Sequence, residues 1–222
     1  MAGNETITKL IGKLPYGFSD VVETGTFIGD TAKKFAVGMN WVHTIEIDER
    51  LYEFAKKGIE ESGNGNVTCW LGDSAEVIPK IIKDYNENHT GKKVVFYLDA
   101  HWSGDESVKE YKGGWSGPHT WIGNFSGHKG DNDNPTSKEQ IPLNEEIMHI
   151  YDDFQNECMI IVDDIDKFDE NGVGMTDKSF DGEDWSDVNL KTIIETIKPR
   201  ITHPLEEWSG RLFIRLGRKD AL

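Results

Sequence analysis

Short β-branched and aliphatic runs alternate along the chain with stretches in which apolar positions recur every three or four residues. Residues 20–24, 42–47 and 67–71 have the length and composition of strands, while 31–37, 50–61 and 75–86 carry helical periodicity. This alternation predicts βαβ units and therefore a parallel sheet. A fourth run, 94–99 (VVFYLD), is apolar almost without interruption, as a strand covered on both faces should be, and is expected at the centre of the sheet. A fifth, 159–164 (MIIVDD), has the same character; it follows an amphipathic stretch, 143–154, and precedes a helical pattern at 188–197. The last, 211–216 (RLFIRL), alternates in a way that suits an edge strand with one wetter face.

Two stretches break this rhythm. Residues 102–140 are rich in Gly, Asn, Asp, Trp and Ser with little periodicity, and a loop that long in a compact domain is usually functional or disordered. Its tryptophans Trp102, Trp115 and Trp121 favour an ordered lid. Residues 167–187 are acidic and contain glycine, and read as a solvated surface excursion. No internal repeat is evident. A length of 222 residues accommodates one core around six or seven strands, so one domain is expected over 1–222, with 102–140 as a lid insertion.

Charge narrows the partners. A formal net charge of -16, from 24 Lys and Arg against 40 Asp and Glu, argues against a nucleic-acid backbone, which needs clustered cations. Small molecules, metal cations and neutral glycans fit better, and a homodimer is compatible with the composition. Residues 1–17 alternate polar and apolar without an apolar stretch of the signal-peptide kind, and no later run approaches the ~20 apolar residues of a membrane span. The chain is therefore expected to be soluble and cytoplasmic, with no membrane partner. Its two cysteines, Cys69 and Cys158, fall in separate predicted strands and read as buried thiols of a reducing compartment. The Asn-x-Ser/Thr sequons at Asn4, Asn66, Asn88 and Asn124 carry no weight without a secretion signal.

Three motifs follow predicted strands. Residues 21–31 (VVETGTFIGDT) end a strand in E-x-G-x-x-x-G and open a helix, placing Glu23, Thr24, Gly25, Thr26, Gly29 and Thr31 at one turn. Glycines there permit a sharp turn and close approach of a ligand, and the helix N-terminus offers free N–H donors. The spacing is not the G-x-G-x-x-G of nicotinamide sites, and an acid before the glycines suits a ligand carrying an amine and a sulfonium. Next, HTIEID places Glu46 at a strand end about 20 residues on, where such folds bind ribose hydroxyls, with Ile47 beside it. Asp48 is either a ligand contact or a helix N-cap. In the third, GDSA, Asp73 and Ser74 either meet an adenine edge or cap the following helix.

Taken in order, E-x-G-x-x-x-G, T-I-E-I-D, G-D-S-A, F-Y-L-D-A-H-W and I-I-V-D-D resemble the class I S-adenosylmethionine-dependent methyltransferases over roughly residues 18–166. In detail the order is similar to the metal-dependent O-methyltransferases, both the catechol type and the sugar-modifying macrocin type. The resemblance implies a Rossmann-like three-layer α/β sandwich, a seven-stranded mostly parallel sheet with one antiparallel edge strand. It implies S-adenosyl-L-methionine across the first three strand ends and a Mg²⁺ or Mn²⁺ ion held by Asp99, Asp163 and Asp164, with Asp99 also near the donor.

Physical chemistry agrees with that carry-over. Carboxylates ending neighbouring parallel strands converge at the edge where α/β proteins bind ligands, and repel unless a cation or protons intervene. A Lewis-acidic metal makes a hydroxyl more nucleophilic. The alternative is that Asp163 and Asp164 merely cap the turn after a strand. His101, two residues past Asp99, is a candidate general base, with Asp99 as the other catalytic candidate. Catechol-type relatives place a lysine, and some sugar-modifying ones a histidine, three residues after the metal Asp; this chain departs from both with Trp102, which leaves the base unassigned, and the alternative for His101 is packing against adenine. Glu145, in the first turn of the helix opened by Pro142, either reaches acceptor or metal or simply favours the helix dipole. The acceptor implied by the resemblance and by the Trp-containing insert is a sugar hydroxyl of a glycan or glycosylated small molecule; a phenol or catechol, or a silent nucleotide-binding module, is the alternative.

Overall fold

The computed structural model describes residues 4–101, 141–177 and 183–221. A helix, α1 (Asn4–Lys13), precedes β1 (Phe18–Thr24), α2 (Asp30–Gly38), β2 (Trp41–Glu46), α3 (Glu49–Glu61), β3 (Val67–Leu71), α4 (Ser74–Asn88) and β4 (Lys93–Leu98). Beyond residues 102–140 follow α5 (Leu143–Asp153), β5 (Cys158–Val162), a small hairpin of β6 (Thr176–Asp177) and β7 (Glu183–Asp184), α6 (Leu190–Ile197), β8 (Glu206–Trp208) and β9 (Arg211–Leu216). Seven strands form one sheet in the order β3-β2-β1-β4-β5-β9-β8. Strands β1 to β5 are mutually parallel, and β9 runs antiparallel to β5. The fold is the expected Rossmann-like α/β sandwich.

Pleating sorts β4 between two cores. Val94, Phe96 and Leu98 face the layer of α4, α5 and α6, where Ile78, Ile81, Ile147, Ile150 and Ile193 pack. Val95 and Tyr97 face α1, α2 and α3, meeting Ile7, Phe35 and Ile59. The central position expected for this strand follows from its having an apolar layer on either side.

Three expectations are corrected. The polar–apolar alternation of residues 1–17 predicts no element, yet Ile7, Leu10 and Ile11 lie at helical spacing in α1 and, with Leu14 just beyond it, close the second core. Strand β9 is not the edge: β8 lies outside it, joined by Ser209 and Gly210, both at positive φ (55° and 76°), as a two-residue hairpin requires. Its polar positions are not wetted but paired, Arg211 with Asp163 and Arg215 with Glu157. Residues 167–187 are also more than a solvated excursion. Gly174 N donates to Val188 O, Trp185 N donates to Met175 O, and Trp185 is buried in the core layer of α4 to α6.

Cys158 is buried in β5, whereas Cys69 is only half-buried on the edge strand β3; both are free thiols. Among the described residues, no helix is long and apolar enough to cross a membrane.

Candidate active site

The carboxyl ends of β1, β2 and β3 form one half of the site. After β1 the chain turns through Gly25 (φ 80°), whose N–H and that of Thr26 donate to Ile45 O at 3.1 and 3.0 Å. A Cβ on Gly25 would lie 2.6 Å from the Asp99 carbonyl oxygen, so this glycine lets the turn close onto the end of β4. Gly29, at φ 79°, caps α2 and lets that helix approach Ala55 and Ile59 of α3. Both glycines thus serve close approach of protein to protein at the turn. Thr31 is half-buried in the first turn of α2.

Glu46 ends β2 with its carboxylate accepting Phe27 N at 2.8 Å and Asp48 N at 3.0 Å. Burial lifts its pKa above the ordinary value, against those two bonds. Phe27 itself has φ 50°, a strained value for a bulky residue. Asp48 and Asp73 take the capping alternative: Asp48 accepts from Arg50 N and Leu51 N to cap α3, and Asp73 accepts from Ala75 N to cap α4. Ser74 is buried behind them. Ile47 and Leu71, 61% and 45% exposed at neighbouring strand ends, leave an apolar surface beside Glu46.

Glu23 lies beneath this half, 1% exposed. Its Oε2 accepts the Thr44 hydroxyl at 2.6 Å, which leaves Thr26, 2.6 Å from Thr44, to donate to that hydroxyl. Its Oε1 has no hydrogen-bond partner among the described residues. Burial above all, with Glu46 nearby, raises its pKa to about 8. An orphaned buried carboxylate oxygen under an apolar ledge and an acid fits a ligand with a cationic group, a purine-like face and vicinal hydroxyls, as S-adenosylmethionine has.

The other half joins the ends of β4 and β5. Asp99 and Ala100 donate their backbone N–H groups to the Thr24 hydroxyl at 3.2 and 3.3 Å. Asp99 Oδ1 lies 3.7 Å from His101 Nδ1, and Asp164 Oδ2 lies 3.7 Å from His101 Nε2. One ligand atom from each of Asp99, His101 and Asp164 falls within 4.8 Å of the others, a spacing that admits one cation. Asp164 adopts φ 54°, left-handed and costly for a residue other than glycine, and this turns it away from its neighbour Asp163. Burial and the other carboxylates push the pKa of Asp99 well above the usual range; burial also raises that of Asp164, against the pull of His101.

Asp163 stands outside this group. Its Oδ2 accepts Arg211 Nη2 at 2.9 Å and the Tyr97 hydroxyl, and its Oδ1 accepts Asp164 N at 3.0 Å. The structure brings Asp99 and Asp164 together with His101 and holds Asp163 in a buried ion pair with Arg211. Two carboxylates with an imidazole suit Mn²⁺ better than Mg²⁺, which favours all-oxygen sites. Only one ring nitrogen can face a given ion, and the other then has a carboxylate to hold it, as metal-bound histidines commonly do.

Two residues not singled out in the sequence complete the pocket behind His101. Trp185 packs on His101 with ring centroids 5.5 Å apart and on Phe168 at 5.5 Å. Glu146, rather than Glu145, points inward with Leu143 from α5. Helix phase marks it, since Leu143, Glu146, Ile147 and Ile150 share the buried face. The lid expected at 102–140, with Trp102, Trp115 and Trp121, lies outside the described residues.

Comparison with solved structures places the fold. A Staphylococcus aureus protein assigned as a caffeoyl-CoA O-methyltransferase superposes with a TM-score of 0.55 at 14% identity, covering 96% of this chain and 82% of that one. An O-methyltransferase from Bacillus cereus in complex with SAH gives 0.53 at 14% identity, with 97% and 80% covered. TomG from Streptomyces achromogenes, an O-methyltransferase involved in tomaymycin synthesis and solved with SAM, gives 0.53 at 13% identity, with 97% and 79% covered. The chain has the class I methyltransferase fold, and at these identities the likeness is one of fold. No protein-family profile and no curated protein sequence matches it.

Proposed function

We propose that this protein is an S-adenosylmethionine-dependent O-methyltransferase that uses a divalent cation, Mn²⁺ or Mg²⁺, at Asp99, His101 and Asp164. The observation carrying this reading is one sheet edge with two abutting halves. Gly25 of the cofactor turn touches the backbone of Asp99, so a donor over β1 and β2 ends beside the acid–histidine cluster. Glu46 accepts the ribose hydroxyls with its remaining lone pairs, Ile47 and Leu71 carry the purine, and Glu23 faces the cationic end. Thr24, Thr26, Gly29 and Thr31 shape the turn after β1, and Asp73 and Ser74 the neighbouring turn after β3. A bound cation supplies the Lewis acidity that makes the acceptor oxygen nucleophilic.

In the transfer, the acceptor oxygen forms a bond to the donor methyl carbon as the carbon–sulfur bond breaks, and the hydroxyl proton leaves to a base. Where the cation is held by Asp99 and Asp164 alone, His101 carries that proton, since the two acids flank its nitrogens and stabilise an imidazolium; where His101 ligates the cation its lone pair is committed, and the proton of the acidified hydroxyl passes to solvent. The acceptor we favour is a sugar hydroxyl of a glycan or glycosylated small molecule, on the resemblance and on Trp102, Trp115 and Trp121, whose rings offer sugars an apolar face. On this reading Trp115→Ala and Trp121→Ala raise the acceptor KM and spare donor affinity.

The test is mass-spectrometric detection of a methylated product from the enzyme, the donor and a glycan library, with and without chelator. A product that vanishes with chelator supports the whole reading. Methylation of catechols or phenols instead moves the acceptor class, and donor binding without turnover across acceptors and metals points to a silent nucleotide-binding module. His101→Ala separates two roles: loss of Mn²⁺ affinity makes it a ligand, whereas retained affinity with kcat lower by about 10²–10⁴ makes it the base.

A further inference from the structure

Helix α5 opens with two acids whose fates differ. Glu145 is partly exposed in the first turn, where the helix dipole favours negative charge. Glu146 is 0% exposed, and neither of its oxygens completes a hydrogen bond among the described residues. The hydroxyls of Ser74 and Thr24 lie close enough to favour its ionised form without reaching hydrogen-bond geometry, while burial lifts its pKa to about 7. Burying a carboxylate this deeply costs stability, and an apolar side chain of similar size would avoid that cost.

Thr24 shows what the acid is placed to do. Its hydroxyl oxygen, fully buried, accepts the N–H groups of Asp99 and Ala100, which commits its lone pairs and leaves its proton to find an acceptor. Glu146 is the carboxylate beside it. Ser74, on the donor half, faces the same carboxylate. We propose that Glu146 is a positioning residue that draws in the Thr24 and Ser74 hydroxyls, closing in solution the hydrogen bonds that stand open in the structure, and, through Thr24, fixes the backbone of Asp99 and Ala100 and so the aim of Asp99 and His101. Its catalytic consequence rests on the methyltransferase reading; the positioning itself does not.

The test is site-resolved amide hydrogen exchange on the whole chain and on Glu146→Met, Glu146→Gln, Thr24→Val and the Glu146→Met/Thr24→Val double variant. Glu146→Met is expected to speed exchange at Asp99 and Ala100 about tenfold, the loss of one hydrogen bond's worth of protection, with Ile214 in β9 unchanged and the melting temperature not lowered. Glu146→Gln, which keeps one acceptor oxygen, should fall between wild type and Glu146→Met. The double variant should match Thr24→Val alone, because the acid acts through that hydroxyl. Unchanged exchange at Asp99 and Ala100, uniform acceleration with a lowered melting temperature, or additive effects in the double variant would each overturn the proposal. Mn²⁺ binding followed by paramagnetic resonance in the same proteins should weaken about tenfold in Glu146→Met. A wild-type chain that binds no Mn²⁺ removes the metal reading, while the exchange comparison still decides Glu146.

Discussion

Arg211, reaching across from β9, holds the carboxylate of Asp163 at 2.9 Å, while its sequence neighbour Asp164 turns outward to face His101 at 3.7 Å. Two adjacent acids thus have opposite duties, one neutralising a buried guanidinium and one open to a cation. Asp163→Asn should therefore destabilise the fold by roughly 3 kcal/mol, because it leaves a buried charge unpaired, and should keep Mn²⁺ affinity within about threefold. Asp164→Asn should do the reverse, weakening Mn²⁺ more than about tenfold with little loss of stability. Thermal unfolding and paramagnetic resonance read the two effects separately. Equal loss of Mn²⁺ binding in both variants would return Asp163 to the ligand set.

Donor affinity should depend on Glu46. Its carboxylate already steadies the turn by accepting Phe27 N and Asp48 N, and on the proposed donor site its remaining lone pairs would accept from ribose. Glu46→Ala is expected to weaken S-adenosylhomocysteine binding about ten- to a hundredfold, or roughly 1.5–3 kcal/mol, in calorimetry. Unchanged affinity would remove β2 from the donor site, and preference for a nicotinamide cofactor would overturn the reading.

The wall behind His101 is built by a glycine. A Cβ on Gly174 would stand 1.9 Å from the Trp185 carbonyl oxygen, so Gly174→Ala must push the segment carrying Trp185 away from His101. A destabilisation of about 1–3 kcal/mol is expected from such overpacking. Turnover should fall further than donor affinity, since Trp185 packs on the histidine and not on the ends of β2 and β3. Donor affinity and turnover falling in equal measure would show that Trp185 acts only through global stability.

Local pattern made most of the frame legible. The run at 94–99 announced a central strand because both of its faces are apolar, and the acids at 46, 99 and 164 sit at strand ends as the βαβ rhythm requires. What local pattern could not carry was pairing at a distance. Nothing within 163–164 tells which acid meets Arg211, 48 residues on from Asp163, or that an alternating strand is interior because β8 covers it. Other features do carry a local signal: the Ser209-Gly210 turn between β8 and β9, the helical spacing of Ile7, Leu10 and Leu14, and the phase that puts Glu146 on the buried face of α5. The acidic composition of 167–187 hid Phe168 and Trp185, the aromatics that pack it against the core.

Above about pH 6.5, where buried His43 no longer contributes an opposite slope, stability without ligand should fall as pH rises, and Glu23 should carry part of the slope. Its pKa is raised by burial from 4.5 to about 8. Between those values the folded chain keeps a proton that the unfolded chain has released, so folding binds more protons. The contribution is fully present below about pH 4.5 and is lost as pH rises through about 8. The shift sets an upper bound on the order of 5 kcal/mol. Glu23→Gln fixes the neutral form and preserves an oxygen to accept the Thr44 hydroxyl, so denaturant midpoints from about pH 6.5 to 9 should decline less steeply in that variant. Glu146, raised to about 7, acts in the same direction, which is why the slope should be reduced and not abolished. Binding S-adenosylmethionine near pH 7, with its cationic end toward Glu23, should release a proton, visible as a heat that changes with the ionisation enthalpy of the buffer. A stability slope identical in Glu23→Gln and wild type, together with buffer-independent binding heats, would mean that Glu23 is ionised in the folded chain and that its orphaned oxygen already has a partner.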